Sequence, residues 1–515
     1  MSARRRFAVL AACLLPLFGG VPASAETPTL RVAEMWETPT LDPLRDATLI
    51  KEKAMVTETL VTGLPDFTIA PGLALSWRRE GETLWRFALR PGVRFHDGSP
   101  LTAQAVVASL EHGLSNSPSI RHHTRIASVA VAGEGEVAIT TVEPFPALPA
   151  ALVHAAAGIV AMSSPRAPDG TIDRPIGTGP YRVADWDPAG QRLTVTRFED
   201  YWGEAPAIAA ISFRSIPDPA TRALELRKGG VDFAADVPYG DLDALAAKGF
   251  TVSRNVTARN YMLSFGSLKE TPFADPRVRK ALSLAIDRDE IARYVLFGMG
   301  RAGIAPFPDT MAFADPAIAV PQADPAAARV LLAGAGYAPG ADGVMAREGR
   351  PLAFTLYTYA QRPGLVPMAG AIQAQLRRIG VAVTIRVAAY EAIAREMKPG
   401  DARLAALATA AYPDPDVFLR QTYHSQGTTN SWGYADARVD AALADALTAP
   451  DEAARLQAYR LVQRIVADDE PCLVIAHYGV NVAMRPGIEN YRFNPIAHDY
   501  MLDPQMRLSP APAGR

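Results

Sequence analysis

The chain has 515 residues, 52 of them basic and 54 acidic, and 49% of it is apolar. This balance leaves no basic footprint for nucleic acid, and the length exceeds what one hydrophobic core serves, so two or three domains are expected. Of the two cysteines, Cys13 lies in the N-terminal apolar run and Cys472 sits in Pro471-Cys472-Leu473-Val474-Ile475, which reads as a buried structural thiol with no disulfide partner.

Arg4-Arg5-Arg6, the apolar run Phe7 to Phe18 and the small residues Ala23-Ser24-Ala25 read as an export signal cleaved after Ala25. Removing it leaves a mature chain of net charge −5. Leu10-Ala11-Ala12-Cys13 is lipobox-like, but the apolar run continues beyond Cys13. The arginines also fit a twin-arginine signal, so both the general secretory and twin-arginine routes stay open. No later segment is long and apolar enough for a membrane helix.

Leu30-Arg31-Val32-Ala33 reads as a strand, followed by Met35-Trp36 and the turn Leu41-Asp42-Pro43; Lys51 to Leu60 has helical spacing. Alternation from Leu73 to Phe95 predicts a half-buried strand set. Thr102 is placed to cap a helix from Ala103 to His112. Strands follow at Ser128–Val131 and Val137–Thr140, and a helical stretch at Leu148–His154. A turn at Gly177-Thr178-Gly179-Pro180-Tyr181 opens further strands to Phe198. Thr221–Lys228 and Arg277–Val295 read as helices. Phe354–Tyr359 leads into Met368–Ile379, and Val383–Val387 into Tyr390–Met397. Val439–Ala467 is helical with a break at Pro450-Asp451. Strands and helices alternate throughout, so the class is α/β.

Gly298-Met299-Gly300-Arg301-Ala302-Gly303 fits G-x-G-x-x-G, but a helix precedes it and prolines follow, so it reads as a loop that ends a helix and not as a nucleotide site. Eight histidines are present, at 96, 112, 122, 123, 154, 424, 477 and 498, with none in metal-ligand spacing; His122 and His123 read as a solvated loop. Asp414-Pro415-Asp416 reads as a capped turn, with an acidic metal site as the alternative. No nucleophile–base pattern appears, so no enzyme is expected.

Several segments carry a resemblance. Leu89-Arg90-Pro91-Gly92-Val93-Arg94-Phe95-His96-Asp97-Gly98-Ser99-Pro100-Leu101-Thr102-Ala103 is the longest of them. Others are Pro71 to Trp77, Pro175 to Tyr181, Asp200-Tyr201-Trp202-Gly203, Phe273 to Leu282 and Ala285-Ile286-Asp287-Arg288. Together they resemble the family 5 extracellular solute-binding proteins of ABC importers, which bind dipeptides, oligopeptides or nickel. The resemblance implies a two-lobed periplasmic-binding-protein fold of type 2, in its three-domain variant with hinge closure. Domain I comprises 26–65, 175–262 and 476–515, domain II is the insert 66–174, and domain III is 263–475. It further implies a monomer in the periplasm that delivers a small-molecule ligand to permease subunits in the inner membrane, with no resident cofactor.

The resemblance is less direct about the ligand. Where peptide-binding relatives carry an acidic residue for the peptide's α-amino group, this chain has Ala411, and an unpaired buried cation is costly; Asp414 is a substitute that keeps peptides open. Nickel-binding relatives show aromatics and a His around the same turn, where this chain has Thr409, Pro413 and Asp416. His424, in Tyr423-His424-Ser425-Gln426-Gly427, matches their metal-contacting loop, and the segment Glu143 to Pro149 with His154 resembles a nickel/peptide-like subgroup. The expected ligand is therefore a nickel chelate, with a di- or oligopeptide as the alternative. Met35, Trp36, His154, Arg362, Tyr412, Asp414, His424 and Trp432 are the expected cleft residues. His424 is the expected metal contact.

Overall fold

A computed structural model describes residues 28–45, 47–409 and 413–509. The export signal, Ala411 and Tyr412 lie outside the described residues. Two long strands, Thr251–Phe265 and Cys472–Met484, pair antiparallel through the middle of one large mixed sheet. On one side the order continues through Phe233–Ala235, Thr29–Glu34, Ala210–Ser215, Arg192–Arg197 and Tyr181–Asp187; on the other it runs through Ala402–Ala408, Ala353–Thr358 and Ala382–Val387.

Each half has a parallel centre. Thr29–Glu34 runs parallel to Ala210–Ser215 and Phe233–Ala235. Ala353–Thr358 runs parallel to Ala382–Val387 and Ala402–Ala408. Parallel strands need crossover helices, and Pro219–Lys228 and Leu365–Arg377 supply them. The first centre is sealed on both faces: Leu30, Val32 and Phe233 pack in one core, and Ala33 and Ala234 of the same strands in another.

The two long strands lose register between Val256 and Asn260 and again between Tyr261 and Met262. At this crossing the carbonyl of Met299 sits against Gly479, where a Cβ would lie 1.4 Å from the oxygen. Only glycine fits there, because the backbones touch.

A separate four-stranded antiparallel sheet is ordered Ala74–Glu80, Leu84–Leu89, Glu136–Thr141, Ile126–Gly133. Alternation buries Trp85, Phe87 and Leu89 on one face, against Val106 and Leu110 of the helix Ala103–Asn116. Thr102 Oγ1 accepts the Ala105 N–H at 3.1 Å, which caps that helix as expected. The helices Ala437–Thr448 and Glu452–Asp469 flank the expected break, and Asp451 caps the second.

Some local expectations give way to tertiary structure. Lys51 to Leu60 is not a continuous helix: a single wide turn, Leu49–Lys53, is followed by extended chain. The carbonyls of Val56 and Glu58 accept the N–H groups of Gly179 and Ile159 at 3.0 and 2.8 Å, so inter-segment bonds replace helical ones. The helix expected over Arg277–Val295 ends at Ala285, and Asp287 caps a new turn by accepting the Glu290 N–H at 2.8 Å. His122 and His123 lie on the short helix Pro118–Thr124, not in a loop.

Candidate functional site

A cleft of about 970 Å³ opens where the carboxyl ends of the two parallel centres face each other. That is where ligands meet α/β sheets. Trp36 follows the strand Thr29–Glu34, while Tyr359, Gln361 and Arg362 follow Ala353–Thr358. Arg259 reaches the cleft from a central strand, and Asp499 from the C-terminal segment.

Glu34 sets the position of Trp36. Its Oε1 accepts the backbone N–H groups of Met35 and Trp36 at 3.0 and 3.2 Å and the Lys53 ammonium at 2.7 Å; its Oε2 accepts the Tyr500 hydroxyl at 2.9 Å. With its backbone fixed, the Trp36 ring lies 6.1 Å from both Tyr359 and Tyr390. The Arg362 guanidinium stands over the indole at 5.5 Å. Three aromatic rings and a cation thus line one wall.

The floor is a buried charge network. Asp499 pairs with Lys53 at 3.2 Å, with Arg362, and with Arg259 at 3.6 Å. Burial alone pushes the Asp499 carboxyl up, but Arg362, Lys53 and Arg259 outweigh it and hold the group well below the usual carboxylate range. Arg362 also pairs with Asp236 at 3.0 Å. Arg259 is less well matched. Only 6% of it is exposed, its Nε has no hydrogen-bond partner among the described residues, and burial and then Arg362 lower its pKa. A buried, undercompensated guanidinium at a cleft wall suits an anionic group, above all a carboxylate able to take paired N–H bonds.

A second cavity, of about 200 Å³, is lined by His122, His123, Arg125, Asp416, Arg420 and His424. Its cations are already paired: Arg420 forks onto Asp416 at 2.6 and 3.0 Å, and Arg125 pairs with Glu143. Among the described residues no group of three or more His, Cys, Asp or Glu side chains is arranged to hold a metal ion.

The expected cleft residues therefore separate. Trp36 and Arg362 line the large cleft. His424 lines the small one, its Nδ1 accepting the Gln426 N–H at 3.0 Å. His154 stacks on His123 at 4.4 Å and meets the edge of His498 at 5.8 Å. Met35 is fully buried in the core beneath Trp36, and Trp432 is 2% exposed in another core. Asp414 is engaged twice: Oδ1 caps the helix Pro415–Tyr423 by accepting the Asp416 N–H at 2.9 Å, and Oδ2 pairs with Arg455. Cys472 is buried, as its surroundings suggest, and burial pushes its thiol up to about 12.

Arg259, Tyr390, His498 and Asp499 are cleft residues that sequence reasoning missed. Arg259 carried a signal: it is a lone charge in the apolar stretch Ala258 to Phe265, where an unmatched cation needs a reason. His498 and Asp499 carried none, because the chain around them has no regular pattern.

Residues 68–430 match the sequence profile of the bacterial extracellular solute-binding proteins, family 5 middle. The nickel-binding periplasmic protein of Escherichia coli is 28% identical over 86% of this chain and 88% of its own length. Among solved structures, Staphylococcus aureus NikA in complex with Ni(L-His)2 superposes with a TM-score of 0.83 at 23% identity, covering 93% of this chain and all of that one. Bacillus subtilis AppA with a nonapeptide gives a TM-score of 0.81 at 24% identity, over 94% and 99%. Such relatives are substrate-binding transport proteins, and family 5 binding proteins work with ABC permease and ATPase components. With its two-lobed, type 2 fold, the chain belongs to the family 5 bacterial extracellular solute-binding proteins.

Proposed function

We propose that this protein is the periplasmic substrate-binding component of an ABC importer, and that it captures a nickel–chelator complex or related metallophore between its lobes. The observation that carries this reading is the cleft floor: Arg259 lacks a full set of partners, beside Arg362 and under an aromatic wall. Metal chelators of small size commonly bind through carboxylates, which such a floor accepts. In this reading the chelator supplies most of the metal's donors, so the protein needs no preformed cage. The lobes are the domains expected from sequence, with the crossing of Thr251–Phe265 and Cys472–Met484 as the hinge.

A di- or oligopeptide is the second reading, favoured by the similarity to AppA. An α-ammonium group needs a carboxylate in the cleft. Asp499 is surrounded by Lys53, Arg259 and Arg362, and Asp414 is engaged by Arg455. Glu37 and Glu391 also line the cleft and give a cationic end carboxylates to meet, while the floor itself, with Arg259 and Arg362, takes an anionic end.

Native mass spectrometry of the protein, after incubation with nickel salt, nickel with excess L-histidine, or a mixture of short peptides, tests the choice. The expected result is one added mass that contains both nickel and histidine, and none from nickel alone. A metal-free peptide mass that outcompetes the nickel complex would overturn it.

A further inference from the structure

Resting on the nickel-chelate reading, a more specific assignment follows from where the imidazole protons lie. A ring nitrogen that accepts a backbone N–H carries no proton, so the neutral ring carries it on the other nitrogen. His424 Nδ1 accepts the Gln426 N–H at 3.0 Å. His154 Nδ1 accepts the Ala156 N–H at 3.2 Å. In both, Nε2 of the neutral ring is a donor and has no lone pair for a metal ion.

His498 is arranged the opposite way. Its Nδ1 lies 2.8 Å from Glu52 Oε1, and a carboxylate only accepts, so Nδ1 holds the proton and the neutral ring keeps its lone pair on Nε2. Glu52 Oε2 accepts the His498 backbone N–H at 3.0 Å, which fixes both the main chain and the ring. Glu52 is buried, and His498 borders the large cleft next to Asp499. A carboxylate behind one imidazole nitrogen is how proteins orient the other toward a metal and raise its basicity. The stretch that supplies His498 is also the one that places Asp499 beside Arg259 and Arg362, so a chelate whose carboxylate rests on the arginines has its metal within the same cleft.

We propose that His498, oriented by Glu52, coordinates the metal of a chelate bound in the large cleft through its Nε2, and that His424 does not. The bond replaces a water on a metal whose chelator leaves a position open. The protein therefore prefers chelates that leave a coordination position open or readily yield one.

Nickel nitrilotriacetate leaves positions open and contains no imidazole, which makes it a suitable probe. X-ray absorption of nickel in the loaded protein is expected to show the multiple scattering of imidazole. That signature is lost in His498→Ala and in His498→Gln, the latter keeping a donor toward Glu52, and is retained in His424→Ala. Glu52→Gln keeps the signature but weakens nickel binding by about 10–100-fold. Retention of the signature in both His498 variants, or its loss in His424→Ala, overturns the assignment. A wild-type protein that binds nickel nitrilotriacetate without any imidazole scattering overturns it too, while leaving the functional reading in place. A wild-type protein that takes up no nickel complex of any kind, with L-histidine included, overturns that reading and this assignment with it.

Discussion

Trp36 Nε1 donates to Asp499 Oδ2 at 3.0 Å, across 463 residues of chain, and so ties the turn after the first strand to the C-terminal segment. The same carboxylate faces Lys53, Arg259 and Arg362. Replacing it by asparagine leaves three buried cations short of a counter-charge. Breaking a buried ion pair on one side costs about 3–5 kcal/mol. Asp499→Asn is therefore expected to lower the unfolding free energy by about that much in urea titration at neutral pH. The sign of its pH dependence follows from the depressed carboxyl. The wild-type stabilisation is present above the ordinary carboxylate pKa and is lost as pH falls through the lower, folded value. The variant should thus approach the wild type in strong acid; a constant gap down to that range would contradict this account.

Arg259 should respond in the opposite way for stability and for binding. Burial works against its charge, its Nε is unpartnered, and Asp499 keeps Lys53 and Arg362 without it. Arg259→Met, similar in length and apolar, is expected to leave thermal stability unchanged or raised. Affinity for nickel with excess L-histidine should fall at least about ten-fold, as loss of one side of a desolvated charge pair does. Calorimetric titration and a melting curve on the same sample test both halves. A destabilised variant with unchanged affinity would show that Arg259 is structural.

The contrast between Trp36 and Met35 marks how far the sequence could be read. The strand Leu30-Arg31-Val32-Ala33 and the turn at Leu41-Asp42-Pro43 are legible in the sequence, which places both residues in the cleft. The structure sends Met35 into the core and Trp36 into the opening, because consecutive side chains after a strand point to opposite faces. The capped helix at Ala103 and the split at Pro450-Asp451 were legible because their signals are local. The failures at Lys51–Leu60 and Arg277–Val295 arise where hydrogen bonds from distant segments replace helical ones or where a cap residue, Asp287, restarts the turn. The charged floor was illegible for a related reason. Its members stand at positions 53, 259, 362 and 499, and nothing in the spacing of a sequence joins them.

Two histidines, His96 half-buried and His477 buried, predict an acid limb in the stability curve. His96 Nδ1 accepts the Gly177 N–H at 3.2 Å and its Nε2 faces the Gly179 carbonyl at 2.9 Å; His477 Nδ1 lies 2.7 Å from Asn260 Oδ1. Burial lowers each imidazole from 6.5 to about 4. The unfolded chain therefore binds more protons than the folded one between these values. The stabilisation is complete above pH 6.5 and is lost as pH falls toward 4. Each histidine accounts for a loss on the order of 2–4 kcal/mol. Denaturant midpoints measured across this range should decline, and His96→Gln or His477→Gln should each flatten the decline. An unchanged slope in both variants would place the acid sensitivity elsewhere.

Gly479 lies at the crossing of the two long strands, where the hinge is proposed. A Cβ there would stand 1.4 Å from the Met299 carbonyl oxygen, so Gly479→Ala forces the segment around Met299 off the strand Cys472–Met484. Overpacking of a well-filled site costs about 1–3 kcal/mol, and a backbone clash is at the upper end or beyond. Gly479 and Met299 do not line the cleft, so a loss of closure and affinity together, in a variant that keeps its fold, reports on the crossing. Small-angle scattering of the wild type should show compaction when nickel with excess L-histidine is added. In Gly479→Ala, at a temperature where it remains folded, the compaction should shrink and the affinity fall together. If the variant closes fully and binds as tightly as the wild type, the crossing is rigid scaffold and the lobes move about another point; if the wild type itself keeps one envelope with and without ligand, closure is not how this protein holds its cargo.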